Sequence, residues 1–533
     1  MTTLWFNGNF YLGKNKFCDA VITNKNKFIQ VGSYNELKLF KYDRKIDLKN
    51  KVVIPGIADT HLHFMYNAFC HELLNFGDVT SIKQLIAKAK KYLIQNKYTK
   101  NQILFGLNYI DGRFKEQRKL TRFDLDKISK TNPIFFKHFD QHYSCANTVG
   151  LKLIKVFKKN YKSKIGGCVQ LDESGLPTGV LLENAQFLYS NLLKENTLLY
   201  KKKIIKNYLV EFSKYGITTL HPCDLTNQQV ESDYEVFEEL ARMKQLSIRF
   251  RHQCWMSELS DVLKFSKEFK HFRKGTPFNK ISAVKLFADG TMSSHTAALS
   301  LPYLNLKDTQ GWIKYTDHDL KQTFEILKSI SLPYVIHAIG DQAIAQVLKI
   351  NKQVHGSVNP LRNGVIHLQL LPSSSFEEFI ESKLLAYVQP GFLDGDLAFI
   401  KNTISSKLLK FYNPLASLIK RKVHVTLSSD APGCSINPWM NLYCAITRKR
   451  LNGTPAKGFL YKEKISLSQA IDAITYEAAY AVGEESIRGR IRPGMLADFA
   501  VLNRNIFKLK NIKQIQKTKS VMTVVDGKII YSK

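Results

Sequence analysis

Between residues 57 and 429 the chain keeps returning to one pattern, a short apolar run followed by a helical stretch. That alternation dictates a parallel sheet with crossover helices. Eight runs can be placed, at 57–61, 217–221, 247–252, 282–287, 334–338, 364–367, 385–389 and 423–429. Eight parallel strands joined by helices close into a (β/α)8 barrel of the TIM type, so the expected fold class is α/β. The gap between the first two runs is far too long for one helix. Residues 64–205 are therefore read as an insertion, with strands of its own at 103–107 and 134–137 and an amphipathic helix at 82–96. A helix over 201–215, ended by Gly216, leads into the second strand.

The two ends of the chain read differently. Short strands at 4–6 and 10–12 flank Asn7-Gly8-Asn9, a hairpin signal, and further strands follow at 20–23 and 28–31. The same β vocabulary returns only at 498–502, 521–525 and 528–531. The expectation is a small composite β-sandwich domain built from 1–55 and 488–533, beside a barrel domain of 56–487 that carries the insertion.

The formal charge of +33 raises nucleic acid as a partner, but the chain holds 62 Lys against 16 Arg, and planar recognition of phosphate favours Arg. The lysines are spread over the whole length. No specific nucleic-acid binding is expected. Eight cysteines (18, 70, 145, 168, 223, 254, 434 and 444) include no close pair, which suits reduced thiols in a cytoplasmic protein. The N-terminus lacks a signal-peptide pattern, and no apolar run approaches the roughly 20 residues that span a bilayer.

The first barrel strand ends in His61-Leu62-His63, and residues two apart in a strand point to the same side, so both imidazoles can reach one ion. Later strands add Lys285, His337 and His367, and Asp430 follows the eighth. His337 and His367 are 30 residues apart, about one β-α unit, and His367 and Asp430 are 63 apart, about two. In a barrel the C-terminal ends of all strands meet at one mouth. Imidazole and carboxylate suit zinc and similar ions, which lower the pKa of a bound water to roughly 7. Asp430 fits the carboxylate that takes and returns the proton. Lys285 has the wrong charge for a ligand unless carbon dioxide carbamylates it into a bridging carboxylate; Glu183 is the substitute.

The chain resembles the amidohydrolase superfamily, in particular its family 3, which includes N-substituted formamide deformylases. The resemblance runs nearly end to end. It is carried by Val53-Ile54-Pro55-Gly56-Ile57-Ala58-Asp59-Thr60-His61-Leu62-His63, Val284-Lys285-Leu286-Phe287-Ala288-Asp289-Gly290, Ile336-His337-Ala338-Ile339-Gly340-Asp341, Ile366-His367-Leu368-Gln369, Ser429-Asp430-Ala431-Pro432 and Arg492-Pro493-Gly494-Met495-Leu496-Ala497-Asp498-Phe499. It implies His61 and His63 as ligands of a first ion, His337 and His367 of a second, Asp430 as ligand and general base, and Lys285 as a bridge. It also implies His142 and Asp289 as substrate contacts. Ile366, Gln342 and Ser428 depart from the family pattern, which bears on substrate choice.

The resulting expectation is a hydrolase using one or two divalent ions, zinc first among them, and a small-molecule substrate. It cleaves a non-peptide C–N bond of an amide or formamide with metal-activated hydroxide, and a homodimer is an ordinary assembly for it. The alternatives are a deaminase or esterase on the same site, or a catalytically silent barrel. Arg448 and its basic neighbours are expected on a solvated helix face.

Overall fold

The structure is a computed structural model that describes residues 1–138, 143–162, 167–192, 197–226 and 230–533. It falls into two compact units, one of Met1–Met65 with Lys206–Lys533 and one of Tyr66–Ile205. Among the described residues no helix is long and apolar enough to cross a membrane.

The first unit holds a parallel eight-stranded sheet. Its strands are β1 (Ile57–Leu62), β2 (Ile217–Pro222), β3 (Arg249–Trp255), β4 (Asn279–Phe287), β5 (Tyr334–Ala338), β6 (Gly364–His367), β7 (Leu385–Val388) and β8 (Val425–Leu427). Hydrogen bonding runs in chain order from β1 to β8. The seam between β8 and β1 is drawn together by Thr60, whose hydroxyl donates to Thr426 Oγ1 at 3.0 Å, and by the Asp430 N–H donating to the His61 carbonyl at 2.8 Å. All six residues of β1 and all seven of β3 but Trp255 are buried, as expected of strands covered on both faces. Gly216, at φ +84°, closes the turn after the helix Leu198–Ser213 and aims the chain into β2.

The chain ends share one seven-stranded sheet, in the order Lys528–Ser532, Ser520–Val525, Phe499–Leu502, Arg44–Pro55, Thr2–Gly13, Lys16–Asn24, Lys27–Gly32. Its core gathers Trp5, Phe10, Val53, Met495, Phe499 and Val524. The expected hairpin at Asn7-Gly8 is not a turn. Thr2–Gly13 is one strand, bulged where Asn7 takes φ +54°, and the partner strand Arg44–Pro55 carries matching left-handed residues at Lys49 and Asn50. The reversal comes later, at Lys14-Asn15, both at positive φ. A paired bulge and a two-residue turn need the same left-handed backbone, so Asn-Gly serves either.

Sheet and barrel are joined by charge. Arg249 on β3 is buried, and its guanidinium donates to Asp498 at 2.9 Å and to Asp526 at 2.9 Å. Gly56 joins the strand Arg44–Pro55 to β1, where any Cβ would collide with Thr218; its N–H donates to the Asp498 carbonyl at 2.9 Å. The second unit has its own six-stranded sheet, including Leu104–Tyr109 and Ile134–His138, and the helix Ile82–Gln95, packed around Leu85, Leu104, Ile134 and Phe136.

Candidate metal centre

Strand ends β1, β4, β5 and β6 and the turn after β8 bring the candidate side chains to one end of the barrel. The His61 and His63 rings lie 5.8 Å apart, His61 and His367 6.2 Å, and His337 and His367 4.4 Å. Asp430, held at φ +48°, reaches in from the turn. Its Oδ1 lies 3.5 Å from His61 Nε2 and 3.4 Å from His63 Nε2, and its Oδ2 lies 4.0 Å from His367 Nε2. Ligand atoms of His61, His63 and Asp430 all fall within 4.8 Å of one another, the one such trio among the described residues.

Neighbouring groups fix which nitrogen faces the trio. Gln253 on β3 donates its amide N–H to the Thr60 carbonyl at 2.9 Å, so its oxygen faces His61 and accepts the Nδ1–H at 2.6 Å. The lone pair of His61 is thereby left on Nε2, beside Asp430. His337 instead donates Nε2–H to the Gly290 carbonyl at 2.9 Å, which places its lone pair on Nδ1. Burial pushes the His61 and His367 imidazoles down to about 3 and His337 well below its ordinary range, so these three rings are neutral. His63, whose side chain is 29 % exposed against 1 % for His61, marks the open side of the site. Burial works against its charged form, but Asp430 and then Asp224 raise its pKa. Burial likewise opposes the Asp430 carboxylate, yet His63, His61 and His367 hold it well below the usual carboxylate range.

The donor set fits a divalent cation. Asp430 Oδ1 is buried with no hydrogen-bond donor, and the His61 Nε2 lone pair points at the same region. Such acceptors converge at a cost unless a cation lies between them. Asp430 itself is positioned through the residue before it. Ser429 donates its hydroxyl at 2.5 Å and its N–H at 2.9 Å to Asp59, whose carboxyl burial lifts to about 6.

Lys285 is buried, its Nζ has no hydrogen-bond partner and stands 3.6 Å over the Phe287 ring, and burial brings its amine down to about 8. Asp289 does not face open space. Its carboxylate accepts the N–H groups of Ala298 at 3.0 Å, Ile339 at 3.0 Å and Gly340 at 2.7 Å, and lies 3.4 Å from His337 Nε2. A carboxylate bonded to three backbone amides ties the β4 and β5 loops together. His142 lies outside the described residues. Glu183 is exposed in the second unit and does not belong to the trio. Arg448 is buried rather than solvated, and donates to the carbonyls of Phe459, Asn413 and Tyr412.

Three rings edge the histidines. Trp255 lies 6.3 Å from His63, Phe287 5.4 Å from His337 and Phe392 5.7 Å from His367. Sequence reasoning missed these rings, Gln253 and Asp59 alike. Only position two residues before His61 flagged Asp59, and nothing local flagged Gln253.

A parallel α/β barrel with a histidine–carboxylate cluster across the C-terminal ends of its strands defines the class. Within it, residues 44–531 match the profile of the amidohydrolase family, and the chain belongs to that family, in its branch 3. It is 25% identical over 540 residues to the putative amidohydrolase YtcJ of Bacillus subtilis, covering 100% of both chains. It is 22% identical over 533 residues to the N-substituted formamide deformylase of Arthrobacter pascens, covering 98% of this chain and 96% of that one. In fold it is similar to an uncharacterized metal-dependent hydrolase from Pyrococcus furiosus, with a TM-score of 0.75 at 22% identity over 95% of this chain and 100% of that one.

Proposed function

We propose that the protein is a metal-dependent hydrolase that cleaves a non-peptide C–N bond of an amide or formamide. The observation that carries this is the trio of His61, His63 and Asp430, with its donorless buried carboxylate oxygen. The deformylase named above adds support from outside the chain. His61 through Nε2, His63 and Asp430 through Oδ1 would hold one ion, with His367 next to it; His337 would enter through Nδ1 only if a second ion binds. A divalent ion supplies Lewis acidity there, making water nucleophilic near neutral pH and polarising a carbonyl.

The chain's own groups do the rest. Asp430 Oδ2, turned toward His367, takes a proton from the attacking water and delivers it to the departing nitrogen, which leaves as the neutral amine. The tautomer set by Gln253 keeps His61 Nε2 unprotonated throughout. At pH 7.5 an amine of pKa about 8 is neutral in roughly a quarter of molecules. The Lys285 lone pair could then add to carbon dioxide, releasing one proton and leaving an anionic carbamate, the charge Lys285 would need in order to hold a divalent ion.

Metal content per chain tests this on the native protein, His61→Ala and Lys285→Ala. Loss of metal after His61→Ala supports the site. Two ions falling to one after Lys285→Ala supports the carbamate, and one ion unchanged by it removes the bridge. No metal in folded protein offered zinc or manganese refutes the hydrolase.

A further inference from the structure

We propose that the barrel mouth is a slot for a flat apolar ring, so that the amides it takes carry an aromatic group next to the scissile bond; this substrate class rests on the hydrolase proposed above. Three observations converge. Trp255, Phe287 and Phe392 each abut a different histidine of the cluster, at 6.3, 5.4 and 5.7 Å between ring centroids. All three rings are partly exposed, as is His63, while His61, His337 and His367 are buried, so a molecule approaching the cluster meets these rings and His63 before it reaches the deeper nitrogens. The rings also stand on opposing strands. Trp255 and Phe287, 4.9 Å apart, end β3 and β4 and form one continuous wall, and Phe392 follows β7. In an eight-membered barrel, strands four places apart lie across the mouth from each other, which sets Phe392 opposite Trp255. Phe392 lies nearly parallel to the His367 ring, at 16°.

None of the three side chains carries a charge or a hydroxyl, and the Trp255 indole N–H is the one polar group they add, so size and flatness are the main features the rings can read. A saturated ring of the same carbon count buries similar apolar area but cannot stack. An aromatic ligand is therefore favoured over its saturated twin by about two- to tenfold for each ring contact it makes.

The test pairs benzoyl and cyclohexanecarbonyl amides of one amine, on metal-loaded protein of measured metal content. kcat/KM is determined for each, and binding of benzamide and cyclohexanecarboxamide is measured by calorimetry on the same samples. The expected result is a preference for the aromatic member of about tenfold in both readouts. Trp255→Leu and Phe392→Leu should each cut that preference to about threefold or less with metal content unchanged. Equal use of both amides by the native protein, or a preference untouched in both variants, overturns the slot and leaves the hydrolase standing. If neither amide is hydrolysed but benzamide still binds preferentially and loses that preference in the variants, the slot is upheld and the hydrolase fails.

Discussion

Gln253 offers the most direct check on how His61 is prepared, because one side chain both fixes the tautomer and holds the strand that carries it. Replacing it by Leu removes two hydrogen bonds, the 2.6 Å bond from His61 Nδ1–H and the 2.9 Å bond to the Thr60 carbonyl. Each is worth about 1 kcal/mol net, and the buried imidazole N–H left without an acceptor costs about 1–3 kcal/mol. Gln253→Leu should therefore melt lower without metal, by about 2–4 kcal/mol in stability. Its metal affinity should fall about 10- to 100-fold, because nothing then holds the His61 lone pair on Nε2. Gln253→Glu keeps the acceptor for His61 Nδ1–H and makes it anionic, which makes Nε2 a stronger donor, but loses the N–H given to the Thr60 carbonyl, so metal should bind more tightly than in Gln253→Leu. The assay is competition for zinc against a chromophoric chelator, with circular dichroism to confirm folding. A folded Gln253→Leu protein with native zinc affinity would refute the tautomer assignment, and so would weaker binding by Gln253→Glu than by Gln253→Leu.

Glu484 predicts the acid limit of stability. Arg251 and Arg488 contact it at 2.7 and 2.5 Å and, against burial, hold its pKa well below the usual range. A depressed folded pKa contributes stability that is present above the unfolded value near 4.3 and lost as pH falls below it. The native protein should lose stability between pH 5 and lower values more steeply than Glu484→Gln does, as urea midpoints at several pH values would register. At pH 7 the variant should be less stable by about 3–5 kcal/mol, since two buried guanidinium groups lose their counter-charge. Gly340→Ala tests the loop that Asp289 holds: a Cβ there would meet the Ala298 carbonyl, so about 1–3 kcal/mol of stability should be lost, with Asp289→Asn showing a similar deficit. A melting temperature unchanged by Gly340→Ala would remove that packing constraint.

The barrel was legible because strands buried on both faces are written as plain apolar runs, as in 334–338 and 364–367, and all eight lie where the alternation puts them. Histidines were legible because the ends of such runs converge. What stayed hidden was the partnership of polar residues inside strands. Arg249, Arg251 and Gln253 interrupt the apolar pattern of β3 and give no local sign of their partners, which lie at Asp498, Glu484 and Thr60. The expected strand, 247–252, stops short of Gln253, whereas the strand runs Arg249–Trp255. Arg448 misled in the same way, because a basic residue near others reads as solvated until the carbonyls that accept its N–H groups are known. Asp289-Gly290 was found by position, yet its direction depended on three amides, one from its own loop after β4 and two from the loop after β5.

The terminal sheet has a consequence in time. The strand Arg44–Pro55 leaves the ribosome early, but its neighbour Phe499–Leu502 is more than 440 residues behind. Translation at about 5–20 residues per second leaves that strand edge unpaired for roughly 20 to 90 seconds. Lys45, Lys49 and Lys51, with the left-handed kink at Lys49-Asn50, make it a poor template for a stray strand meanwhile. Arg249 waits a little over half as long for Asp498 and Asp526. The barrel thus completes its charge balance only when the last strands arrive.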